Sequence, residues 1–99
     1  MKYTVTIHGR LRDKQAAAKK YHDDVTGATK DAAKKAGDLT HAVYLDPKDP
    51  QAFLGVDTWS TLEGIQGFAG SPQIREFFGK LFDGEPEVQV WVDSDWNQW

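Results

Sequence analysis

The chain has 99 residues, 39% apolar and 27% charged, the make-up of one globular domain spanning residues 1–99. Twelve Lys and Arg against 15 Asp and Glu leave a net charge of −3 without a basic cluster, which argues against nucleic acid as a partner. The lack of cysteine excludes disulfides, a thiolate nucleophile and sulfur-ligated zinc; no apolar run suits a transmembrane helix or, in MKYTVTIHGR, a signal peptide, so a cytoplasmic protein is expected.

Residues 3–9 alternate Tyr3, Val5 and Ile7 with Thr4, Thr6 and His8, the period of two that marks a strand. Ala18, Tyr21, Val25, Ala28, Ala32 and Ala36 then recur at spacings of three and four. They predict a helix over 13–36 that rests on this stripe and turns Lys19, His22, Thr26 and Lys30 to solvent. Gly27 invites a kink, and Gly37 ends the helix. Residues 39–46 and 51–59 read as strands, and the short DPKDP loop between them leaves room only for an antiparallel hairpin.

Ser60 and Glu63 form a capping box for a short helix carrying Leu62, Ile65, Phe68 and Ala69. Ser71 followed by Pro72 starts a second segment, in which Ile74, Phe77, Phe78, Leu81 and Phe82 keep strict helical spacing. Residues 87–93 alternate again as a fourth strand. The tail SDWNQW has no period, and its Trp96 and Trp99 are expected to dock on a partner subunit or on the chain's own helices.

The order βαββαβ specifies an α+β fold, a four-stranded antiparallel sheet with both helical segments on one face. Val5, Ile7, Leu54, Val56, Val88, Val90 and Val92 are expected beneath the helices. The other face would then carry Thr4, Thr6, His8, Phe53, Gly55, Asp57, Trp59, Gln89 and Trp91, an aromatic patch too large to leave wet. His41 and Tyr44 lie on opposite faces of the second strand. Either can point inward; the reading favours Tyr44, with Thr40 and Ala42, on the aromatic face and Val43 and Leu45 under the helices.

Several residues together carry a family resemblance: Tyr44-x-Asp46-Pro47, the Asp49-Pro50 turn, a strand ending in Trp59, the Ser71-Pro72 break, and Glu85-Pro86-Glu87 before the last strand. Most of the chain thereby resembles the antibiotic-biosynthesis-monooxygenase family of the dimeric α/β-barrel superfamily. The resemblance implies a ferredoxin-like subunit, a homodimer closing a dimeric α/β barrel, and a ligand cavity in each half. It further implies cofactor-free oxidation of a small aromatic or polyketide-like substrate, with non-catalytic hydrophobic-ligand binding or a purely structural dimer as the alternatives. Where quinone-forming members have an Asn four residues before the strand-terminal Trp, this chain has Gly55. Where haem-degrading members have an iron-ligating His, it has Phe78, and where an Asn often stands near the end of the first strand it has Thr6 and His8.

A cofactor-free oxygenase needs a base, and two residues qualify. His8 stands on the polar face at a strand end, with an imidazole suited to proton transfer near neutrality. Asp57 shares a strand face with Trp59, where a drier setting raises a carboxylate's basicity. Thr6 and Tyr44 are candidates to orient substrate oxygens, and Phe53, Trp59 and Trp91 to stack a flat ligand. His22 reads as a solvated helix residue and His41 as a sheet residue bonded locally. The three histidines lack metal-ligand spacing, so neither metal nor cofactor is expected.

Overall fold

The structure is a computed structural model that describes residues 2–99. Its elements are β1 (Tyr3–Arg10), α1 (Gln15–Ala36), β2 (Asp38–Leu45), β3 (Ala52–Trp59), α2 (Leu62–Ala69), α3 (Pro72–Leu81) and β4 (Glu87–Val92). The strands form one antiparallel sheet in the order β2-β3-β1-β4, and the helices pack on one face of it, as the βαββαβ reading requires. Each boundary falls within two residues of the expected one. The helix α1 runs unbroken past Gly27.

Local chemistry explains the punctuation. Gly37 closes α1 at φ +110°, a left-handed conformation that a side chain disfavours, and its N–H caps the carbonyls of Ala33 and Lys34. Gly64 sits where a Cβ would run into the Ala36 carbonyl, so α2 can lie against the end of α1 only with glycine there. The Ser71 hydroxyl accepts from the Ile74 N–H at 3.2 Å, with Pro72 opening α3 as expected. The cap of α2 is not Ser60 but Thr61, whose hydroxyl accepts from the Gly64 N–H at 3.0 Å.

The phase of β3 is opposite to the one expected. Val5 pairs with Asp57, Ile7 with Gly55 and Tyr3 with Trp59, and directly paired residues share a face. Phe53, Gly55, Asp57 and Trp59 therefore lie buried beneath the helices, and Leu54, Val56 and Thr58 lie half-buried on the open face. The energetic reason is size. Two aromatic rings remove more apolar surface from water than Leu54 and Val56 would, enough to carry Asp57 inward with them. The strand β2 follows the favoured reading, with Thr40, Ala42 and Tyr44 opposite Thr58, Val56 and Leu54 on the open face.

The buried face of α1 is also rotated from expectation. Ala18 and His22 are its buried residues, with Val25, Thr26 and Thr29 half-buried, whereas Ala28, Ala32 and Ala36 are exposed. His22 is thus an inward residue, not a solvated one. Two ring-rich clusters form the core: Leu11, Ala18, Phe53, Phe77, Leu81 and Phe82 at one end, and Val5, Trp59 and Ile65 at the other. The helices leave β4 uncovered, so Val88, Val90 and Val92 remain exposed on the helix side. Trp96 and Trp99 are exposed too; within the chain they dock on neither helix nor sheet.

Candidate active site

Four polar side chains meet between α1 and the sheet. The pairing of β2 with β3 sets His41 directly opposite Asp57, and His41 Nδ1 stands 2.6 Å from Asp57 Oδ1. The other ring nitrogen, Nε2, stands 2.9 Å from His22 Nε2, with the two ring planes 19° apart. From α1, His22 Nδ1 reaches Asp23 Oδ1 at 3.0 Å. Phe53 and Phe77 flank the His22 ring, with centroids 6.2 and 6.1 Å away. The result is a line of four groups leading from buried Asp57 through His41 and His22 to exposed Asp23.

Asp57 and His41 form part of the wall of a cavity of about 590 Å³ between α1 and the sheet, of a size for a small polycyclic ligand. Ile7, Val25, Phe68 and Phe77 supply apolar walls. Asp38, at the start of β2, closes the polar corner, and its Oδ1 is buried without a hydrogen-bond partner among the described residues. Among the described residues no group of three or more His, Cys, Asp or Glu side chains is arranged to hold a metal ion.

The electrostatics follow from burial and pairing. The hydrogen bond to Asp57 holds the His41 imidazolium above its ordinary range, against the opposing cost of burial. Burial, then the adjacent Asp57 carboxyl, pushes Asp38 up to about 8, so it is a neutral carboxylic acid near neutrality. Asp23, in water, is held low by Lys19 and then by His22.

These shifts predict a pH dependence of stability. The folded chain keeps on Asp38 a proton that the unfolded chain loses near 3.8, so stability falls as pH climbs from there toward about 8. His41 acts in the same sense: its folded value lies above 6.5, so its contribution is complete below that pH and is lost as pH rises beyond it. Denaturant midpoints should therefore be higher at about pH 5 than at about pH 8, and Asp38→Asn, which cannot ionise, should flatten the decline. A wild type equally stable at both values would contradict this.

The residues singled out in the sequence separate onto two faces. Thr6, His8, Tyr44 and Trp91 lie on the open face, where the Trp91 Nε1–H donates to Thr6 Oγ1 at 2.9 Å and His8 is exposed opposite Glu87. Asp57, Phe53 and Trp59 lie on the helix side, so the seven do not line one surface of the chain. Of them only Asp57 borders the cavity of about 590 Å³. His41, His22 and Asp38 are the additions. The signal for His41 was its pairing with Asp57 across the hairpin, and for His22 its place four residues after buried Ala18 and three before Val25.

No protein-family model matches the chain, and no curated protein sequence does. Solved structures match its fold over nearly their whole length. A protein from Caulobacter crescentus CB15 has a TM-score of 0.75 at 12% identity, over 95% of this chain and 91% of that one. SnoaB, a cofactor-independent oxygenase from Streptomyces nogalater, gives 0.72 at 9% identity, over 95% and 94%. A Chloroflexus aurantiacus J-10-fl protein gives 0.66 at 20% identity, over 99% and 98%. The first and third are named for the antibiotic biosynthesis monooxygenases, as are proteins from Nitrosomonas europaea and Bordetella bronchiseptica. At these identities the likeness establishes a shared ferredoxin-like α+β fold. No helix among the described residues is long and apolar enough to cross a membrane.

Proposed function

We propose that this chain is a cofactor-independent monooxygenase of the antibiotic-biosynthesis type, acting on a small aromatic or polyketide-like substrate between α1 and the sheet. One observation carries the reading: a buried carboxylate, Asp57, hydrogen-bonded at 2.6 Å to His41 in the wall of a largely apolar cavity. A base paired in this way is a recurrent device for proton abstraction. Asp57 takes the proton of a phenol or of an activated methylene, and His41 stabilises the pair once the proton has arrived. The neutral Asp38 carboxyl, hydrogen-bonded to Asp57 before substrate arrives, turns its proton to the substrate oxygen on which charge develops. The electron-rich carbanion reduces dioxygen to a bound peroxide, the peroxide takes one proton from water to become the hydroperoxide, and loss of water leaves a new carbonyl. A methylene and one dioxygen thus give a carbonyl and one water, with no external reductant.

The open sheet face supports a homodimer. Leu54 and Val56 are half-buried there, while Tyr44 and Trp91 are exposed, and a second copy laid on them would remove this apolar surface from water. His8 and Thr6 belong to that seam in this reading, and Phe53 and Trp59 support the cavity from the core. A solution mass twice 11.1 kDa at micromolar concentration is expected, and a monomer there would contradict the seam.

Oxygen uptake tests the function. Purified protein offered flat phenols and anthrone-type ketones, with neither flavin nor metal added, should consume one dioxygen for each quinone or diketone molecule formed. Saturable binding of those compounds without oxygen uptake would favour a carrier and overturn the oxygenase reading.

A further inference from the structure

The contacts of the two histidines fix how many protons they hold. Each carboxylate contact, His41 Nδ1 to Asp57 and His22 Nδ1 to Asp23, needs an N–H on the ring, because an ionised carboxylate only accepts. The Nε2–Nε2 contact at 2.9 Å needs one more hydrogen between the rings. Three contacts therefore require three protons on four ring nitrogens, and two neutral imidazoles supply only two. All three contacts are made together only when the pair carries one extra proton, and moving it across the Nε2–Nε2 contact exchanges the charge between rings without displacing a heavy atom.

The surroundings suit such a pair. Asp57 on β3 and Asp23 on α1 stand at its two ends, and Lys19 on α1 pairs with Asp23. Asp38 on β2 faces His41, with Lys34 of α1 near Asp38, whereas α3 and the far end of β3 present the apolar rings of Phe77 and Phe53 to His22. His41 borders the larger cavity, His22 borders a second one of about 530 Å³, and Asp23 touches both from its exposed position on α1. One end of the pair is thus on the cavity and the other reaches an exposed carboxylate.

We infer that His22 is a proton-relay residue: His41 and His22 hold one shared proton, and the proton taken from substrate at Asp57 leaves through His22 and Asp23 to water. The inference rests on the proposed role of Asp57, and it adds a residue that substrate does not touch. The resting pair holds three protons, the state in which every contact is made; release of one at Asp23 takes it to two, and the proton arriving through Asp57 restores the third. Nothing is oxidised or reduced in the relay, and one proton enters and one leaves in each cycle.

Nitrogen-15 NMR of the imidazoles in the unliganded protein reads the pair directly. The two rings should lose one shared proton in a single step, with the nitrogen shifts of both rings moving together. Two rings titrating independently would overturn the inference. In His22→Phe, His41 should titrate alone, and turnover should fall about tenfold or more with KM unchanged and a displaced pH profile. Added imidazole, small enough for the space left beside Asp23, should restore part of the rate in His22→Ala. Unchanged turnover and pH profile in both variants would overturn the relay. A wild type that titrates as one unit yet consumes no oxygen would overturn the oxygenase reading and leave the shared proton standing.

Discussion

Replacing Asp57 with Asn should lower turnover by about 10²–10⁴-fold, the range that a positioned general base contributes. Asn has nearly the shape of Asp, so the 7%-exposed site stays filled. It loses the charge that holds the His41 imidazolium and the oxygen that accepts the substrate proton. His41→Gln should show a similar loss through the other half of the pair. Both variants should keep the wild-type affinity for a substrate analogue, because Ile7, Val25, Phe68 and Phe77 still form the walls. His8→Ala, altered on the open face, should leave turnover within about twofold, since its ring is exposed beyond the cavity. Steady-state oxygen uptake by the three variants checks this, and a His8 variant as impaired as the Asp57 one would move the chemistry to the open face.

Replacing Phe82 with Ala should cost about 3–5 kcal/mol, a large share of what a domain of this size has. The residue is 1% exposed, its ring meets Phe53 at 5.1 Å edge-on and Phe78 at 5.7 Å, and a Cβ at Gly9 would lie only 2.6 Å from it. The ring is therefore pressed onto the β1 backbone at the closed end of the core. Neighbours held by the sheet on one side and α3 on the other have little freedom to collapse into the space. A fall in melting temperature of at least roughly 12 °C is expected, and one of a few degrees would show a core that relaxes around the loss.

The fold was legible because its cues are local. The alternation of Tyr3, Val5 and Ile7, the Ser71-Pro72 restart and Gly37 each act within a few residues, and together they define element type and order. The site was legible only in part, because it depends on facing. Setting Leu54 and Val56 beneath the helices turns Asp57 outward along with Phe53 and Trp59, whereas burial of those two rings turns it inward. For His22 the reason differs: a histidine among lysines and aspartates looks solvated until a partner across the sheet is known. His41 paired with Asp57 is a contact between residues 16 apart, and hydrophobic periodicity carries no information about it. Asp38 announced nothing; its raised affinity for a proton comes from burial beside Asp57, a property of the assembled corner.

The most direct measurement is a crystal structure of the protein with a flat phenol bound. The ligand should lie between α1 and the sheet, its oxygen within hydrogen-bond distance of Asp57 or Asp38 and its ring against Phe77. A ligand held instead on the open face against His8 and Trp91, with the space beside His41 empty, would contradict the assignment of the active site.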